Sequence, residues 1–182
     1  MTRNKIYKLA AMGILGALCI AFSCLSIKTG PLTISFASLP IYVAAFYLGA
    51  PEAIIVALLG GAADQIISYG ISATTLLWLI PGVLRAATAF LLSYWYNKLY
   101  KKPIETCYSI TLIVCIMSSL ICTFATTAVM AIDALIFNYF SWTYILSSLG
   151  MRLFSSTIVA ILCGMVVSPI VSILKQKRRL DE

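Results

Sequence analysis

Histidine is absent from the 182 residues, and charge is scarce, with thirteen lysines and arginines against six aspartates and glutamates. Without histidine there is no ordinary general base near neutral pH and no HExxH metal site. The patterns GxxxxGK[ST] and Gly-x-Ser-x-Gly are also missing, so neither a nucleotide-binding loop nor a serine nucleophile on its elbow is present. No two acidic residues stand three or four apart inside an apolar stretch, which removes paired-carboxylate catalysis. The six cysteines (Cys19, Cys24, Cys107, Cys115, Cys122 and Cys163) show no CxxC spacing. They read as small buried hydrophobes, neither disulfides nor zinc ligands. An enzyme is not expected, nor a cofactor or a metal. The solvated basic groove with interleaved aromatics that would suit nucleic acid is absent as well.

What fills the chain instead is apolar surface: 62% hydrophobic residues, 10% charged, mean hydropathy +1.01. A water-soluble domain of this size would expose apolar patches well beyond a few hundred Å². A helical span needs roughly 20 apolar residues to cross about 30 Å of hydrocarbon. Six such stretches can be marked, at about 6–26, 33–49, 51–71, 77–97, 108–132 and 150–174. The expected fold is therefore all-α: one transmembrane domain over residues 1–182, a six-helix bundle. The second stretch is short and interrupted by Pro40, so it crosses tilted or begins irregularly against protein. Gly49 and Pro51 suit a helix stop followed at once by a helix start, which makes the second and third helices a tight hairpin.

Charge gives sidedness. Arg3, Lys5 and Lys8 precede the first span, Lys98, Lys101 and Lys102 follow the fourth, and Lys175, Lys177, Arg178 and Arg179 follow the sixth. With six spans these ten of thirteen basic residues share one face, which the positive-inside rule makes cytoplasmic, with both termini inside. The net charge of +7 then reports topology and contact with the lipid bilayer. The first span resembles a signal peptide in outline, but removing it would put the termini on opposite sides.

An ionised group in hydrocarbon costs several kcal/mol unless paired or hydrated, so the few in the spans are informative. Asp64 in the third helix and Arg85 in the fourth both fall about 10–12 Å below the outer surface at 1.5 Å per residue. Asp133 and Arg152 close the fifth helix and open the sixth, and Lys28 lies in the first outer loop. Two readings of Asp64 and Arg85 stay open. They neutralise each other as a structural pair, with Asp133 and Arg152 a second pair, or they line a pocket open to the outside. In the pocket reading Asp64 accepts from ligand donors, and Arg85 meets a carboxylate or carbonyl. Of the outer aromatics, Phe36, Tyr69 and Trp78 are the candidates for stacking on a flat ring, Tyr69 and Trp78 flanking the Asp64/Arg85 level in a loop. Loop one (27–35) and the fifth connection (133–149), which carries Asn138, are long enough to act as lids. On the first helix Gly13, Ala17 and Ala21 recur every four residues. Such a stripe lets another helix approach closely, within the bundle or from a separate membrane subunit.

The run Ser26–Phe36, followed by Leu39-Pro40-Ile41, resembles the loop-one region of vitamin-binding S-components of energy-coupling factor (ECF) transporters. Leu48-Gly49-Ala50-Pro51, Gly60-Gly61 and Asp64 are similar to the same family's second and third helices. Within it the folate-type members look closest, while Leu77–Arg85 departs from the folate pattern. The resemblance implies a six-helix bundle in a bacterial plasma membrane that binds a B-type vitamin, folate-like first, pantothenate or another vitamin as alternatives, under loop one. It further implies a transmembrane coupling subunit, docked on the Gly13/Ala17/Ala21 stripe, and two ATPase subunits. On this basis Asp64 recognises ring donors, Arg85 and Arg152 the acidic tail, and Phe36, Tyr69 or Trp78 the ring, with Lys28 and Asn138 in the covering loops. The alternative is a non-transporting scaffold of the kind that organises cell-wall synthesis, in which Asp64 and Arg85 simply pair.

Overall fold

The computed structural model describes residues 3–29, 32–101, 104 and 107–181, with side chains outside the description at 3–4, 28–29, 32–33 and 178–181. Six helices and one short hairpin follow in order: α1 (Arg3–Cys24), β1 (Ile27–Thr29), β2 (Leu32–Ile34), α2 (Ser38–Tyr47), α3 (Ala50–Tyr69), α4 (Thr75–Tyr100), α5 (Tyr108–Ile136) and α6 (Trp142–Asp181). All but α2 are long and apolar enough to cross a membrane.

The second span departs from expectation. At ten residues α2 covers about 15 Å, half the hydrocarbon thickness. Its sequence is apolar all round, as suits a helix surrounded by protein. Every residue from Pro40 to Leu48 is buried, and α2 touches α1, α3, α4 and α6. It is the core of the bundle rather than a lipid-facing wall. Tyr42, fully buried, satisfies its hydroxyl by donating to the Cys115 carbonyl at 3.0 Å and accepting from Ser118 Oγ at 3.2 Å. The break after α2 falls where Gly49 and Pro51 place it. Gly49 has φ 124°, a conformation costly for any residue with a Cβ, and Pro51 lies in the first turn of α3.

Contacts between neighbours show that consecutive helices alternate in direction. Tyr7 OH meets Tyr47 OH at 2.8 Å and Lys8 Nζ meets Glu52 Oε1 at 2.7 Å at one end of α1. At the other end Cys19 Sγ donates to the Ala37 carbonyl at 3.3 Å. Gly82 backs onto Ala57 and Gly61 onto Leu79 between α3 and α4. Between α5 and α6, Ser119 reaches Ser156 and Ser148 reaches Met130. The start of α1 and the end of α6 thus lie at the same end of the bundle.

Two connections differ from the sequence expectation. Loop one is an antiparallel hairpin pairing Ile27 with Ile34, Lys28 with Thr33 and Thr29 with Leu32, and β2 packs against α6. Gly30 and Pro31 at its turn lie outside the described residues, as do Lys102 and Glu105 of the inner connection. The fifth connection is not a long loop. Helix α5 runs on to Ile136 and α6 begins at Trp142, leaving only residues 137–141 between them. Hydropathy dips over 142–149 because of Thr143, Ser147 and Ser148, yet no glycine or proline stops the helix before Gly150. The backbone bond from Ile145 N to Ser141 O at 3.1 Å already belongs to its first turn.

Candidate functional site

A cavity of about 650 Å³ opens among the ends of the helices opposite the chain termini, a size suited to a drug-sized organic ligand. Its floor and walls come from every helix, because α2 is short and leaves space above its N-terminal end at Ser38. Helix α4 contributes Trp78, Pro81, Gly82 and Arg85. Pro81 cannot donate to the Leu77 carbonyl, and Gly82 carries no side chain, so this face of α4 is thinned where it borders the space. Helix α3 contributes Gly60, Gly61, Asp64 and Tyr69.

Asp64, Arg85, Trp78, Tyr69 and Arg152 all line this one cavity. Asp64 Oδ1 accepts from Ser68 Oγ at 3.3 Å, one turn on. Asp64 and Arg85 form no ion pair with each other; among the described residues the pair within 4 Å is Lys8–Glu52. Arg85 instead has Cys122, Tyr42 and Cys163 as its neighbours. Its Nε is sealed from solvent with no hydrogen-bond partner among the described residues. Arg152 does not open α6 but sits about ten residues, or 15 Å, along it. It lies near Tyr144 and Tyr69, and its Nη1 is likewise buried and unpartnered. Trp78 is in the first turn of α4 and Tyr69 is the last residue of α3, so neither belongs to a loop.

Three candidates fall elsewhere. Phe36 points away from the cavity, being 40% exposed, while its neighbours Ser35 and Ala37 line it; the turn before α2 alternates its side chains. Asn138 is exposed and has a capping role. It adopts φ 59° just past α5, where the Tyr139 N–H returns to the Ala134 carbonyl at 3.0 Å and that of Phe137 to Asp133 at 3.0 Å. A left-handed residue closing those two bonds is the usual helix stop, and asparagine tolerates it. The Lys28 side chain lies outside the described residues.

That stop folds Tyr139 back so that its hydroxyl donates to Asp133 Oδ2. Thr74 and Trp78 also reach the Asp133 carboxylate, which ties the start of α4 to the end of α5 at the cavity rim. Asp133 therefore does not pair with Arg152. Partial burial and the neighbouring carboxylate push the Tyr139 phenol up to about 12, so it remains a donor at physiological pH.

Sequence reasoning missed the wall that α5 and α6 form. Ser119, Thr123 and Thr126 of α5 and Ser155 and Ser156 of α6 all line the cavity. The signal was present: positions 119, 123 and 126 repeat at helical spacing in an otherwise apolar run, and 155–156 follow Arg152 by one turn.

With this geometry in view, residues 3–173 match the family model described as the ECF-type riboflavin transporter, S component. The chain belongs to that family. S components are the substrate-binding membrane subunits of ECF transporters, which work with a transmembrane subunit and ATPase subunits, and the family is not one of enzymes. Two solved structures share the fold of this S component. One, the S component of a bacterial ECF transporter, is 19% identical with a TM-score of 0.58, the match covering 98% of this chain and 97% of that one. The other, ThiT from Listeria monocytogenes, is 16% identical with a TM-score of 0.70, covering 96% and 98%. No curated protein matches the sequence.

Proposed function

We propose that this S component captures riboflavin, or a flavin close to it, in the cavity between α3, α4, α5 and α6. The observation that carries the reading is the match to a family described by riboflavin transport, joined to a cavity lined by two arginines that each keep one buried nitrogen without a partner among the described residues. A flavin offers a flat ring with carbonyl acceptors and a hydroxylated tail. Arg85 suits the ring carbonyls, and Trp78, with Tyr69 and Tyr144 at the mouth, suits its faces. Asp64 serves ring or tail donors. Folate is the second reading, favoured by the unpartnered donors of Arg85 and Arg152, which suit an acidic tail, and by the loop-one residues described above. The basic residues flanking the other end of the bundle support a cytoplasmic position for that end in a bacterium, and with it a cavity open to the outside.

Purified protein, denatured after detergent extraction, should release riboflavin at near one-to-one ratio by mass spectrometry. Release of folate instead would move the assignment to the second reading. Nothing released, even after expression in vitamin-rich medium, would favour the non-transporting scaffold.

Power for uptake is assigned to a separate coupling subunit and its ATPases. Ala10, Gly13, Ala17 and Ala21 are exposed on α1, and a Cβ at Gly13 would meet nothing within 4 Å. The buried face of α1 is carried by Gly16 and Cys19, which turn towards α3. Changing Ala17 and Ala21 together to leucine should abolish uptake in cells that supply the coupling subunits, and leave binding by purified protein within about twofold of wild type, since large residues prevent the close approach such stripes allow. Normal uptake by that variant would remove α1 as the docking face.

A further inference from the structure

The hydroxyls on the α5–α6 wall are already committed as donors. Thr126 Oγ1 donates to the Cys122 carbonyl at 2.8 Å and Thr123 Oγ1 lies 2.9 Å from the Ser119 carbonyl. Ser119 Oγ donates to the Ser156 carbonyl at 3.2 Å, Ser156 Oγ to Leu153 at 3.2 Å, and Ser155 Oγ to Arg152 at 3.2 Å. A hydroxyl has a single proton and two lone pairs, and a carbonyl can only accept. Four of these protons go to helix carbonyls, and that of Thr123 is shared between the Ser119 carbonyl and Ser156 Oγ, each 2.9 Å away, so none is left for the cavity. What remains for the cavity is lone pairs. Thr123 Oγ1 and Ser156 Oγ, 2.9 Å apart, join the two helices into one continuous strip.

The unpartnered cationic donors have the opposite character. Arg85 Nε and Arg152 Nη1 can only donate. The cavity lining thus combines acceptors along α5 and α6 with the guanidinium of Arg85 from α4, which lies beside Cys122 of α5. An empty acceptor lone pair is a small loss, whereas an unmet buried donor is a larger one, so the strip can stand vacant between binding events.

We propose that this strip selects the donor-rich arm of the ligand, a polyol of the ribityl type. The ligand lies with its ring carbonyls toward Arg85 and its hydroxylated arm along Ser119, Thr123, Thr126 and Ser156. This rests on the flavin reading above and adds to it the orientation and the group on which specificity depends. A ring without the polyol leaves the strip unmet; a ligand whose arm carries only acceptors is repelled by it.

The test compares riboflavin with lumiflavin, which keeps the ring and replaces the polyol by a methyl group, using quenching of flavin fluorescence on purified protein. Wild-type protein should prefer riboflavin by about tenfold or more, given several hydrogen bonds at roughly threefold to tenfold each. The variant Thr123→Val with Ser156→Ala should lose about tenfold for riboflavin and less than threefold for lumiflavin. Retained lumiflavin affinity also reports that the variant is folded. Equal affinities of wild type for the two flavins, or equal losses in the variant, would overturn the strip while leaving flavin capture standing. Binding of neither flavin by wild type would overturn the flavin reading and this orientation together.

Discussion

Arg85→Met is expected to cost about 100-fold in ligand affinity while leaving the empty protein at least as stable as wild type. These effects have one origin. The guanidinium sits ten residues into α4, against Cys122, Tyr42 and Cys163, with no carboxylate in ion-pair contact among the described residues. A charge withdrawn from water without a counterion is a debit to the fold, and replacing it by an apolar residue of similar length commonly stabilises. The same withdrawal makes it a strong donor to a ligand acceptor. A hydrogen bond to a charged group contributes about 1.5–3 kcal/mol, and the forked geometry of arginine adds a second contact, so roughly 100-fold is the expected scale. Arg85→Lys should recover little of the affinity, because a point charge on a flexible stem does not reproduce the fork. Titration with the bound vitamin and a thermal melt without it check both halves. A variant that melts well below wild type and binds normally would make Arg85 a structural residue and leave the cavity without its central donor.

The sequence disclosed depth far better than rotation. Counting 1.5 Å per residue from the helix ends put Asp64 and Arg85 at one level, and both do line one cavity. The Gly49-Ala50-Pro51 break was readable because a positive φ and a first-turn proline each demand a particular residue. Hydropathy marked where lipid-compatible runs begin and end, which is a different quantity from where helices do. Hence α6 begins eight residues before its apolar window, and Arg152 moves from the rim to well inside. In the turn before α2 the aromatic Phe36 drew attention, yet Ser35 and Ala37 take the inward positions. Asn138, expected in a covering loop, instead stops α5. The hydroxyls of α5 and α6 carry no charge and no motif. Their weight comes from facing each other across a helix pair, which only the packing reveals.

Gly60→Ala should destabilise the protein by about 1–3 kcal/mol, the scale of overpacking in a tight core, and should weaken ligand binding with it. At Gly60 the backbone of α3 packs directly on Cys19 of α1. A methyl placed there would overlap Cys19 Sγ and stand 2.9 Å from Cys19 Cβ, so rotating the thiol relieves only part of the clash and the helices must separate. Gly60 and Cys19 both line the cavity, so that separation shifts its wall. Adding Cys19→Ala should restore part of the loss, because it removes the sulfur and leaves the Cβ contact in place; the two changes should therefore be non-additive in a thermal melt. Neighbouring glycines provide the contrast. A Cβ at Gly61 would lie 3.4 Å from the end of Leu79, an ordinary contact, and Gly13→Ala meets nothing. If Gly60→Ala melts with wild type, or if Cys19→Ala fails to soften its effect, the α1–α3 crossing is looser than the structure has it. The cavity wall that depends on that crossing would then be free to move without a ligand.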